Sequence, residues 1–185
     1  MEISSHKRVM PPVPTVITDP PTSLKSYEVD LIGKVQDFGW QTTSVTSDDN
    51  GDPAFSYTTG FWATVDHPEV IVFDFPPELS HEVFGQMMRR AQAGDCFPIG
   101  QAIEGILSNE TVYLFPVSQE AAAHYLRSSD WFYRREQFPS VQLVWGDGSG
   151  RLPWERGFDA SLAKLQPDLS PKGWSNEQNA PPNGI

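Results

Sequence analysis

A single α+β domain built on a mainly antiparallel sheet is the fold class this sequence predicts, with an open or split barrel as the form its curl would take and two to four helices packed on it. Three observations predict it. The length of 185 residues suits one domain rather than two. Most β-prone runs follow one another through short turns, as antiparallel neighbours do. Helices are too few for a doubly wound parallel sheet, which needs one after nearly every strand.

The chain opens on a Pro-rich arm, residues 1–21, that lacks apolar periodicity. A helix follows, capped at Thr22 or Ser23, with Leu24, Tyr27, Leu31, Ile32 and Val35 at helical spacing and Gly39 as its left-handed stop. Trp40 to Thr46 and Ala54 to Trp62 read as two strands of a hairpin around the Asp-, Asn- and Gly-rich turn at 47–53. In the second strand Phe55, Tyr57, Thr59 and Phe61 share one face by the period of two. The run Val70 to Phe75, apolar but for Asp74, predicts a strand buried on both faces.

Pro77 suits a first helical turn, and Leu79, Val83, Phe84, Met87, Met88 and Ala91 form an apolar stripe behind it. Glu78 and Glu82 stand at its positive end and Arg89 and Arg90 at its negative end, which makes this the best-defined helix in the chain. Gln101 to Leu107 and Thr111 to Val117 predict two further strands. Ser118 can cap a short helix through Arg127. Trp131 to Phe138 has no assignable type, Val141 to Trp145 reads as the last strand, and Asp159 to Leu165 as a short helix. The expected domain is 22–166, with a disordered tail at 167–185 rich in Pro, Asn and Gly.

Charge excludes several function classes. The net charge of −11 opposes phosphate backbones and anionic membrane surfaces; it serves solubility and permits a basic protein partner. No apolar run approaches the ~20 residues of a bilayer span, no secretion signal is read, and the expected compartment is the cytoplasm. With Cys96 alone and four histidines scattered, no metal site is expected.

Templates for chemistry fail one by one. Asp48, Asn50 and Asp52 open like a calcium loop, but Pro53 and Thr59 stand where glycine and glutamate are required. His67 and Glu69 match the H-x-E of zinc deaminases without the paired cysteines. Ser149 lacks the glycines of a nucleophile elbow. His81 falls opposite the apolar stripe of its helix and reads as solvated, His124 pairs with Glu120 on a helix face, and Cys96 beside Phe97 reads as a small core residue. The catalytic candidates that remain are His67, Glu69 and Asp147, which would make a hydrolase only if the fold brought them together. Trp145 and Trp154 bracket a glycine turn beside Arg151 and Glu155, either as a clasp over the sheet or as a recognition surface. Tyr57, Thr59 and Trp62 complete the candidate binding residues.

Three patterns together carry a family resemblance: Phe55-x-Tyr57-Thr58-x-Gly60, His67-Pro68-Glu69, and Gln142-Leu143-Val144-Trp145 followed by Pro153-Trp154-Glu155. Over residues 24 to 160 the chain resembles a bacterial family known as domain of unknown function 4262. Members often carry His where this chain has Phe38 and Pro where it has Gly146. The resemblance implies a fold and no activity.

The functional expectation is therefore a non-enzymatic protein-binding domain without cofactor, of the immunity or inhibitor type that neutralises a basic toxin or enzyme. The alternative is a split-barrel-like domain binding flavin mononucleotide (FMN) or another small ligand, with Thr58 and Thr59 at the phosphate and Trp62 against the ring.

Overall fold

The computed structural model describes residues 13–47, 51–108 and 110–177. Asp48 and Asn50 of the calcium-loop comparison lie outside the described residues, as do most of the N-terminal arm and the last part of the tail.

In chain order the elements are α1 (Ser26–Phe38), β1 (Gln41–Val45), β2 (Phe55–Thr59), α2 (Phe61–Val65), β3 (Glu69–Phe73), α3 (Pro77–Gln92), β4 (Ile103–Leu107), β5 (Glu110–Pro116), α4 (Gln119–Tyr125), α5 (Arg127–Phe132), β6 (Ser140–Trp145) and α6 (Trp174–Glu177). The six strands form one sheet in the order β1-β2-β3-β6-β5-β4, so it is open, with β1 and β4 as its edges, and not closed into a barrel. Every pairing is antiparallel except β3 with β6. The expected hairpin is β1–β2, with Thr43 opposite Tyr57.

The period of two sorts the core onto two faces. On one, Phe55, Tyr57, Ile71 and Phe73 pack with Leu31 and Val35 of α1 and with Leu126, Phe132 and Tyr133 of the α4–α5 region. On the other, Val70, Val72, Leu114 and Leu143 meet Val83, Phe84, Met87 and Met88 of α3, the stripe legible in the sequence. β3 is buried along its whole length, as its apolar run predicts. A third cluster gathers Phe115, Val144 and Trp174, with Tyr113 and Trp154 against them.

Several expectations are corrected. The run to Trp62 is not all strand: Gly60 turns the chain at φ 111° and α2 begins. Residues 159–165 form turns instead of a helix. Helical segments number six among the described residues, beyond the two to four expected, because four of them are only four to seven residues long. Both expected frayed ends carry packed residues. Val16 is buried and its N–H donates to Phe132 O at 2.9 Å. Leu169 and Trp174 are buried too. Cys96 is exposed, because the neighbour that packs inward is Phe97. No helix among the described residues is long and apolar enough to cross a membrane.

Gly60 ties the corner together. A Cβ there would stand 2.6 Å from Gly39 O and 3.0 Å from Trp40 Cα, at a φ that side chains rarely adopt. Gly60→Ala is expected to cost about 2 kcal/mol in chemical denaturation, from strain and the backbone contact together. An unchanged denaturation midpoint would show that the corner is loose.

Candidate functional site

Three places bear on function; two of them hold candidate residues, and those two are spent on the fold. The first is Glu69, fully buried at the start of β3. Its Oε1 accepts from Gly60 N at 2.9 Å, from Trp62 N at 3.1 Å and from the Tyr133 hydroxyl; its Oε2 accepts from Thr58 Oγ1 at 2.5 Å. Gly60 and Trp62 belong to the opening turn of α2, so the carboxylate caps a helix N-terminus from the neighbouring strand. Burial pushes the Glu69 carboxyl upward, and the four donors hold part of that rise back. Burial beside Glu69 likewise raises the Tyr133 phenol. His67 is buried between the rings of Phe61 and Phe97, with Nδ1 2.7 Å from Pro68 O. Burial lowers its pKa, which favours the neutral ring.

The second place is Asp147, just past the end of β6. Its Oδ1 accepts from Ser149 N at 2.8 Å and Arg151 N at 3.0 Å, and its Oδ2 from Asp159 N at 3.2 Å. Burial pushes this carboxyl up, but those backbone donors outweigh it and leave the pKa below the usual value. Glu155 plays the same part, its Oε2 accepting from Leu152 N at 2.8 Å. Glu69 lies opposite Ser140 at the start of β6, and β3 runs parallel to β6. The length of β6, about 20 Å at strand rise, therefore separates Glu69 from Asp147. His67, Glu69 and Asp147 are not assembled into one site.

The other predicted binding residues are dispersed. The buried Tyr57 hydroxyl accepts from Ser128 N at 3.1 Å, and the buried Thr59 Oγ1 lies 2.8 Å from Ser129 Oγ. Trp62 is half-buried against Tyr133. Trp145 anchors its Nε1 on Phe73 O at 3.0 Å. Trp154 is half-buried, edge-on to Tyr113, Phe115 and Trp174. Arg151 is exposed. His124 is turned to Asp52, at 3.4 Å, rather than working as a pair with Glu120.

The third place was missed at the sequence level and is the one that faces solvent. Where α1 ends and β1 begins, Gly39 takes φ 85° and its carbonyl accepts from Thr64 Oγ1 at 2.6 Å. That turn leaves Phe38 69% exposed. Trp40, next along, is held edge-on by Phe61 and stacks on His81 of α3, with ring centroids 5.0 Å apart. His81 is exposed but not idle: its Nδ1 lies 3.0 Å from Thr42 Oγ1 of β1. Lys34, Phe38, Trp40, Gln41, Thr42 and His81 line a groove of about 330 Å3 between α1, β1 and α3. The available signal was the pairing of His81, on the polar side of its helix, with a Trp directly after a glycine stop.

Residues 34–159 match the family model described as Domain of unknown function (DUF4262). The chain belongs to the DUF4262 family. The DUF4262 match takes in Phe38, Trp40 and His81 as well as Glu69, Asp147 and Trp154, and it ends before the packed tail that carries Leu169 and Trp174. No curated protein and no solved structure matches the chain.

Proposed function

We propose that this DUF4262 protein is a non-enzymatic protein-binding domain that takes a basic partner, in the manner of an immunity or inhibitor-type protein neutralising a basic toxin or enzyme. The observation that carries the reading is Phe38, a large aromatic 69% exposed at the mouth of an aromatic groove. Exposed aromatic anchors beside half-buried ones are what interfaces are built around. The charge of −11 adds steering toward a cationic surface. The carboxylates first considered for catalysis bind backbone N–H groups instead, which fits a scaffold role for them.

The flavin alternative has less support. Thr58 and Thr59 are buried, and their hydroxyls are engaged with Glu69 and Ser129, so a phosphate there would have to displace both partners.

Capture experiments with the wild-type chain and Phe38→Ser at low and high salt test the reading, with an FMN titration alongside. A partner held at low salt, released at high salt and lost in Phe38→Ser is expected, with fold stability unchanged within about 0.5 kcal/mol for this surface change. A visible flavin band at micromolar FMN, with no partner at either salt, would replace the protein-binding reading by its rival.

A further inference from the structure

The two edges of the sheet are treated differently. At β4 two backbone carbonyls are met from α3: Gln86 Nε2 donates to Gly105 O, and Arg90 donates to Glu104 O at 3.1 Å. Glu104 adds a charge to that strand, and its pairing with β5 is irregular around Gly105 at φ 72°. Each of these features discourages a further strand.

β1 has none of them. Its sequence, Gln-Thr-Thr-Ser-Val, holds no charge and no proline, and its pairing with β2 is in regular register over five residues. Nothing among the described residues pairs with its outer side. Gln41, at its start, has a buried Oε1 with no donor upon it. The aromatic groove opens beside the same strand.

We infer that β1 is a strand-addition site: an extended, basic segment of a protein partner pairs with Gln41–Val45 and sets an apolar side chain into the groove beside Trp40 and His81. Main-chain hydrogen bonds along a free edge supply affinity in this mode, and a pocket taking alternate side chains supplies selectivity. Charge selects the occupant. Asp37 of α1 and Glu82 of α3 are exposed, next in sequence to the groove residues Phe38 and His81. Of the cations there, Lys34 is paired with Asp30 at 2.8 Å, which leaves Arg89. A second copy of the chain would bring another charge of −11 to the edge, whereas a lysine- or arginine-rich strand brings the opposite sign.

This inference rests on the protein-binding reading and is tested separately from it. The probe is a short synthetic peptide of alternating lysine and valine, with a glutamate–valine peptide as its control. Hydrogen exchange on the full chain should show the basic peptide protecting amides of β1, less so as salt rises. Val45 is exposed on the edge strand. Val45→Lys should weaken binding about tenfold and Val45→Glu should strengthen it, each change about 1.4 kcal/mol. Equal protection by the acidic peptide, or protection of β1 by raising the concentration of the chain alone, would overturn the inference. No protection of β1 while the salt-sensitive, Phe38-dependent capture persists would overturn strand addition and leave the protein-binding reading standing. Loss of both would overturn both.

Discussion

Replacing Glu69 with alanine is expected to destabilise the fold by about 4 kcal/mol, while Glu69→Gln costs about 1 kcal/mol. The difference follows from the donors. Alanine strands Gly60 N, Trp62 N and the hydroxyls of Thr58 and Tyr133 in a site without solvent. Glutamine keeps an oxygen for the first two and for Tyr133, and its amide can donate to Thr58 Oγ1, which already accepts from Val70 N at 2.9 Å. Urea denaturation of the two variants measures the gap. Equal losses would mean that the charge itself, rather than the set of acceptors, holds α2.

The same residue gives stability a pH slope of known sign. Burial raises the Glu69 carboxyl in the fold, so the folded chain keeps this proton at a pH where the unfolded chain has released it. The folded state then binds more protons, and stability falls as pH rises. Glu69's contribution is fully present below the ordinary carboxylate value and shrinks as pH climbs through its raised value. Glu69→Gln cannot titrate, so the wild-type loss across that window should disappear in it. A slope that survives unchanged belongs to other groups.

What was legible in the sequence was local. Leu79, Val83, Phe84, Met87 and Met88 repeat at helical spacing because one face of α3 meets the sheet, and the period can be read without knowing what it meets. All six strands lie within the runs expected for them or begin one residue earlier, since β-branched and aromatic density between turns is also a local signal. The parallel pairing of β3 with β6 was not legible, because Ile71 and Gln142, brought opposite each other, stand 71 positions apart in sequence. Phe61 and Trp62 look like strand residues, and they become helical because Gly60 reverses the chain and Glu69 holds the freed N–H groups. At the open edge, Phe38 gave no periodic signal, and its groove needs His81 from a helix 43 positions later in sequence to exist.

The C-terminal segment shows why composition misled. Its proline and asparagine content reads as disorder, yet glutamine side chains fasten it to β6 as a strand would be fastened. Gln166 accepts from Trp145 N at 3.1 Å and donates to Trp145 O at 3.0 Å. Gln142 donates to Pro167 O at 2.8 Å and accepts from Leu169 N at 3.1 Å. These four bonds place Trp174 over Phe115 and against Trp154.

Trp154→Ala is accordingly expected to cost about 3 kcal/mol, toward the lower end for a tryptophan truncation because the ring is only half-buried. That corresponds to a fall in Tm of roughly 6–12 °C for a chain of this size. The ring is held edge-on by Tyr113 and Phe115, each at 5.2 Å, and by Trp174 at 5.9 Å, so its loss opens a gap between β5 and the tail. Trp174→Ala removes the other side of the same contact. The double variant should therefore lose less than the sum of the two single losses, by about 1 kcal/mol, as touching residues do. Thermal denaturation of the three variants decides the role of these rings. Strict additivity would show that the tail docks independently of Trp154, and an unchanged Tm in Trp154→Ala would make that ring a recognition surface instead of a clasp.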